Sequence, residues 1–145
     1  MKPDNIFLDT EGNCKLGDFG CVFVRKNTER ASTPAGTIAY MSPQQRLVYC
    51  GELDRYNTFK GDVFSLGMTL YAMSSLSLPK DPWPTRKLAQ EANAKIEILP
   101  YSTRWKELLL AMLSPGEEER VTMQLVLERL DKHQESSYGM ELRQL

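Results

Sequence analysis

Residues 62–73 run Asp-Val-Phe-Ser-Leu-Gly-Met-Thr-Leu-Tyr-Ala-Met, and their apolar side chains surround a helical projection instead of forming one stripe. A helix apolar all round is a central one, so other elements must wrap it. Asp62 stands where an N-cap belongs. The cover lies downstream. Trp105, Leu108, Leu109, Met112 and Leu113 recur at helical spacing from Thr103 onward. Met123, Val126, Leu127 and Leu130 repeat that stripe behind a Thr122 cap, and both stripes read as core. A short helix is predicted over 44–48 and a weaker one over 86–95, with Pro79, Pro82 and Pro84 making a loop around Trp83. The fold class is mainly α.

The N-terminal third is different. Ile6-Phe7-Leu8, the turn chemistry of residues 9–13 and Cys14-Lys15-Leu16 predict a small β-hairpin. From Asp18 to about Pro43 no helical period appears, and Gly20, Pro34, Gly36 and Pro43 punctuate the stretch. So long a loop in a compact domain is uncommon and usually functional. It is the first place to look for chemistry.

Composition narrows the partners. The chain has 145 residues, 18 Lys+Arg against 19 Asp+Glu and 41% apolar residues, which suits one globular domain. A formal charge of −1 removes the simplest argument for a nucleic-acid or polybasic membrane surface, so neither partner is expected. The uncharged stretch 63–79 is rich in serine and falls short of the ~20 apolar residues of a membrane span. Cys14, Cys21 and Cys50 form no C-x-x-C pair, and the single His133 is remote. Neither a zinc site nor a disulfide framework fits that spacing. Buried or half-buried thiols in a reducing compartment are expected. With no apolar run in residues 1–5, the expected location is intracellular, most simply cytoplasmic.

Lys2-Pro3-Asp4-Asn5 and Asp18-Phe19-Gly20 resemble the catalytic loop and metal-binding motif of the eukaryotic protein kinases, at the spacing that family uses. Gly36-Thr37-Ile38-Ala39-Tyr40-Met41-Ser42-Pro43, Asp62-Val63-Phe64-Ser65-Leu66-Gly67 and Arg120 follow in the same family's order. A lone motif of this kind is weak; the ordered set is strong. The resemblance implies a kinase-like C-terminal lobe without the N-lobe, beginning just after the His-Arg-Asp of the catalytic loop. Residues 1–130 are then a partial kinase domain with an activation segment at 18–44, and 131–145 a polar tail.

The resemblance also implies roles. In this family two Mg²⁺ ions bridge the ATP phosphates, held by the DFG aspartate and the catalytic-loop asparagine, here Asp18 and Asn5. Lys2 falls where the family neutralises the transferring phosphoryl group, giving it a catalytic and an ATP-binding role. Thr37 belongs to substrate positioning and points to the serine/threonine class. Thr28, Ser32 and Thr33 are hydroxyls within the segment, open to phosphorylation beside Arg25, Lys26 and Arg30. Asp62 is expected to hydrogen-bond backbone amides of the catalytic loop.

Departures from the pattern matter too. Ser42-Pro43-Gln44 replaces the family's Ala-Pro-Glu, so the carboxylate that pairs with the late arginine is an amide. A buried Arg120 without a charged partner should cost several kcal/mol or move. Glu117, Glu118 or Glu119 could compensate as the charged partner of Arg120, but a solvated acidic turn is the first reading of them. Phe64 replaces the usual tryptophan, and residues 44–62 run longer than the family norm. His-Arg-Asp and a glycine-rich phosphate loop are absent from the 145 residues. The implied function is ATP γ-phosphoryl transfer to protein Ser/Thr in an intact chain, with this chain inactive by itself. The alternative is a pseudokinase-like binding module for a protein partner, or a truncated gene relic.

Overall fold

The computed structural model describes residues 1–22, 30–77 and 93–131. The central helix forms as the all-round apolar pattern requires. It is α2, Thr58–Ser75, and it buries Val63, Phe64, Ser65, Gly67, Met68, Thr69, Tyr71 and Ala72. Its start corrects the sequence reading by one turn. Asn57 is the cap, its side-chain oxygen accepting from the Lys60 amide at 3.1 Å, so Asp62 lies inside the helix. Asn and Asp cap equally well. The apolar pattern could not choose between them, because Phe59 on the added turn is 58% exposed and contributes no stripe.

Helix α1 precedes it at Pro43–Tyr49. Ser42 accepts from the Gln45 amide at 3.2 Å and its own amide donates to Gln45 Oε1 at 2.9 Å, a reciprocal capping box with Pro43 at the first helical position. After α2 come helical residues 93–97 (α3), α4 at Thr103–Met112 and helical residues 123–131 (α5). Ser102 caps α4 through the Trp105 amide, and Thr122 accepts from the Leu125 amide at the head of α5. The residues 78–92 that hold the proline loop, and the tail beyond 131, lie outside the described residues; of the helix expected over 86–95, only 93–95 fall within them.

Two apolar clusters meet on α2. Phe64, Met68 and Tyr71 pack with Tyr40, Ile96, Leu109 and Leu113, while Val63 packs with Leu108, Met112 and Val126. Burying a side chain of this size is worth about 2 kcal/mol, which is what holds α4 against α2. Gly67 permits the close approach. A Cβ there would stand 3.0 Å from Met112 Cβ and 3.1 Å from Leu113. The α5 stripe is a correction: Val126 is buried, but Leu127 and Leu130 are 55% and 38% exposed, since the described residues cover α5 on the Val126 flank and not over these two.

The hairpin forms as expected, β1 (Ile6–Leu8) antiparallel to β2 (Cys14–Leu16), with Ile6 opposite Leu16 and Leu8 opposite Cys14. Asp9 organises its turn by accepting from the Glu11 and Asn13 amides. Phe7, Leu8 and Leu16 stay exposed, because no second layer among the described residues covers this ribbon. A bridge not visible in the sequence joins β3 (Arg30–Ala31) to β4 (Tyr56–Asn57). The thiols correct another expectation, for Cys14, Cys21 and Cys50 are all exposed. They sit on the uncovered ribbon, in a loop and just past α1, not in either cluster.

Candidate active site

Strand pairing brings the first two candidates together. Ile6 pairs with Leu16, so the residues flanking that pair meet next, and Gly17 N–H donates to the Asn5 carbonyl at 2.8 Å. Asp18 follows directly. Its backbone is left-handed at φ 57°, a conformation that Asp tolerates better than most residues. The side chain folds back to accept from the Gly20 amide at 3.4 Å. The Asn5 amide donates to the other Asp18 oxygen at 3.4 Å. Strained backbone beside paired polar side chains is common where function requires an aimed group.

These residues open onto a cavity of 620 Å³ lined by Lys2, Asn5, Asp18 and Thr37, with Asp62 and Ser65 of α2. All four sequence candidates therefore share one cleft. Lys2 is half-buried and has no carboxylate partner among the described residues. Thr37 is exposed and follows Gly36, whose φ of 116° suits glycine. Gln45 also lines the cleft, as do Cys21 and Met123, which the sequence reading gave only as a thiol and a core-stripe residue. The one available signal was Ser65, three residues beyond Asp62 on the same helix.

Asp62 makes no hydrogen bond among the described residues, so the expected bonds to backbone amides do not appear there. Desolvation against the protein raises its carboxyl above 3.8. Asp9 goes the other way, below 3.8, because the Asn13 amide and side chain favour the carboxylate. The signs follow. Asp9 contributes stability that is present above 3.8 and lost as pH falls through its lowered value. Asp62, raised, favours the folded state increasingly as pH falls through its own value. A carboxyl-carbon NMR titration should show Asp9 titrating first from the acid side and Asp62 after it.

The Thr37 side of the cleft is anchored on α2. Ser65 Oγ donates to the Tyr40 carbonyl at 2.8 Å, fixing the 3₁₀ turn Ile38–Tyr40 that follows Thr37 on α2. Gln44 anchors the next residues. Arg120 is 1% exposed, and its guanidinium donates to Gln44 Oε1 at 2.9 Å, Ser114 O at 3.0 Å, Lys60 O at 3.1 Å and Pro115 O at 3.2 Å. The Phe64 ring lies 5.0 Å from the guanidinium carbon. Desolvation pushes Arg120 down to about 10, with Glu117 and Glu119 opposing, so it stays charged at neutral pH.

The expected conflict at Arg120 is thus resolved without displacement, since four oxygens and a ring face replace one carboxylate. Gln44 also donates to Pro115 O at 2.8 Å, which a carboxylate cannot do. Gln44→Ala should cost about 1–2 kcal/mol in urea-unfolding free energy, the cost of unpairing buried polar groups.

Comparison with known proteins matches the protein kinase domain model over residues 1–130. The chain is 35% identical over 134 residues to the human (Homo sapiens) serine/threonine-protein kinase Nek2, covering 88% of this chain and 28% of that one. It is 35% identical over 114 residues to human serine/threonine-protein kinase 32B, covering 78% of this chain and 27% of that one. It is 37% identical over 101 residues to the G2-specific protein kinase nim-1 of Neurospora crassa, covering 69% and 11%. The chain therefore spans 28%, 27% and 11% of the length of these three relatives. Paired Asn5 and Asp18, a cleft walled by Thr37 and a match running through residue 130 lead to one conclusion: the chain belongs to the protein kinase family.

Proposed function

We propose that this chain supplies the metal-gripping and substrate-facing part of a serine/threonine protein kinase domain. In a polypeptide that also carries a nucleotide-binding lobe, the reaction is transfer of the γ-phosphoryl group of ATP to a protein Ser or Thr hydroxyl. The observation supporting this reading is the convergence of Asn5 and Asp18 at 3.4 Å on the cleft that Thr37 walls.

The residues fit Mg²⁺. This ion wants oxygen ligands, keeps several waters and needs only one or two carboxylates from the protein. Among the described residues there is no cluster of three or more His, Cys, Asp or Glu that would hold a metal by itself. Asp18 and Asn5 would hold it, and when bound it neutralises charge on the phosphates. Lys2 adds a fixed positive charge on the same cleft, worth most where water is excluded. Thr37 orients the acceptor segment, and its position is kept by the Tyr40–Ser65 bond.

A non-catalytic binding role drew its support from Gln44, which serves Arg120 well and so weighs on neither side. Three exposed thiols accord with a reducing, cytoplasmic setting. The 145 residues contain neither His-Arg-Asp nor a glycine-rich loop, so the isolated chain is expected to move no label from γ-labelled ATP to a Ser/Thr peptide. Incorporation that Asp18→Ala abolishes would show the chain to be sufficient. Mn²⁺, used as a paramagnetic probe, should broaden the NMR signals of Asn5 and Gly20 in the wild type and spare them in Asp18→Ala. Equal broadening in both would remove the metal assignment.

A further inference from the structure

The loop following α4 carries a carboxylate that the kinase chemistry does not use. Glu117 was read as part of a solvated turn, yet its side chain is only 11% exposed. One oxygen accepts from the Asn57 amide at 2.5 Å and the other lies 3.3 Å from the Arg30 guanidinium. These two donors belong to residues paired across the β3–β4 bridge, where Arg30 is opposite Asn57. A single carboxylate thus spans both strands of the bridge. Asn57 is also the cap of α2, and Ala31 beside Arg30 is buried with Val48 and Tyr56.

We infer that Glu117 is a positioning residue: it latches the activation segment to the start of α2 and so sets the cleft wall made by Ala35, Gly36 and Thr37. It is not among the residues lining the cleft and acts only through the segment. The same loop reaches the segment's other end through Arg120 and Gln44, so one short stretch of chain holds both flanks of the wall. A glutamine at 117 keeps an acceptor for the Asn57 amide but presents an N–H group or a neutral oxygen to Arg30. The charge matters for one donor, the shape for both. None of this depends on the metal chemistry proposed for the cleft.

Amide hydrogen exchange across residues 31–42 of the 145-residue chain tests the latch, with α4 as the internal reference. Glu117→Gln and Arg30→Gln should each speed exchange there about 3- to 5-fold, the size of a half-exposed ion pair. The double variant should be no faster than either single. Glu117→Ala should reach about 10-fold, having lost the Asn57 bond as well. Should it fail to fold, Glu117→Gln and the half-exposed Arg30→Gln carry the test. Raising salt to ~1 M, where the screening length is ~3 Å, should speed exchange in the wild type and not in Glu117→Gln. Unchanged exchange at 31–42, single effects that multiply in the double variant, or equal acceleration in α4 would each overturn the inference.

Discussion

Asp18→Ala, placed in a longer kinase polypeptide containing these residues, is expected to lower kcat for peptide phosphorylation by about 10²–10³-fold, the cost of losing one preorganised electrostatic group. The substitution removes the carboxylate that meets Asn5 and the acceptor for the Gly20 amide, and it leaves alanine at φ 57°. Asp18→Asn separates these effects. It keeps an acceptor and a side chain that tolerates the left-handed region but removes the charge. A loss as large in Asp18→Asn as in Asp18→Ala assigns the effect to charge; near-full activity in Asp18→Asn would refute the metal role. On the metal reading KM for the peptide should change little, because Thr37, the residue proposed to orient the acceptor, is left in place on the same cleft.

Arg120→Ala is expected to cost about 2–4 kcal/mol, from buried acceptors left unpaired at about 1–3 kcal/mol each, a large share of the roughly 5–15 kcal/mol typical of a whole domain. The alanine strands Gln44 Oε1 and the Ser114 carbonyl, takes one donor from the Lys60 and Pro115 carbonyls, and opens a void beside Phe64. Lys60 also donates to the Arg120 carbonyl, so the backbone at 120 is tied into the same knot. Arg120→Lys should recover part of the loss, since an ammonium reaches fewer acceptors than a planar fork. A urea midpoint for Arg120→Ala close to the wild type would mean that Gln44 and its neighbours find water or one another instead.

Much of this molecule was legible in its residues, for physical reasons that differ from place to place. The all-round apolar helix declared itself because burial demands it, and the hairpin because its turn chemistry is local. The meeting of Asn5 and Asp18 followed from hairpin register. What escaped were features decided by contacts remote in sequence. The α2 start depended on which of two good caps found support, and Asn57 has Glu117 on its amide from 60 residues away. The β3–β4 bridge is two residues long on each side, too short for any periodicity. Glu117 looked like its neighbours Glu118 and Glu119 until its surroundings were known. Leu127 and Leu130 carried a sound helical stripe, but a stripe records where apolar groups lie, not whether anything faces them.

The bare ribbon β1–β2 bears on how substitutions there should be judged. Phe7 and Leu8, 57% and 69% exposed, gain little from the folding of these residues. Lysine or threonine at Leu8 should change stability little, and at Phe7 should cost only the contact its ring makes over Gly17. An apolar side chain maintained at those sites across many generations would therefore register selection from something outside the residues described, and a panel of natural variants is where that pressure would be read.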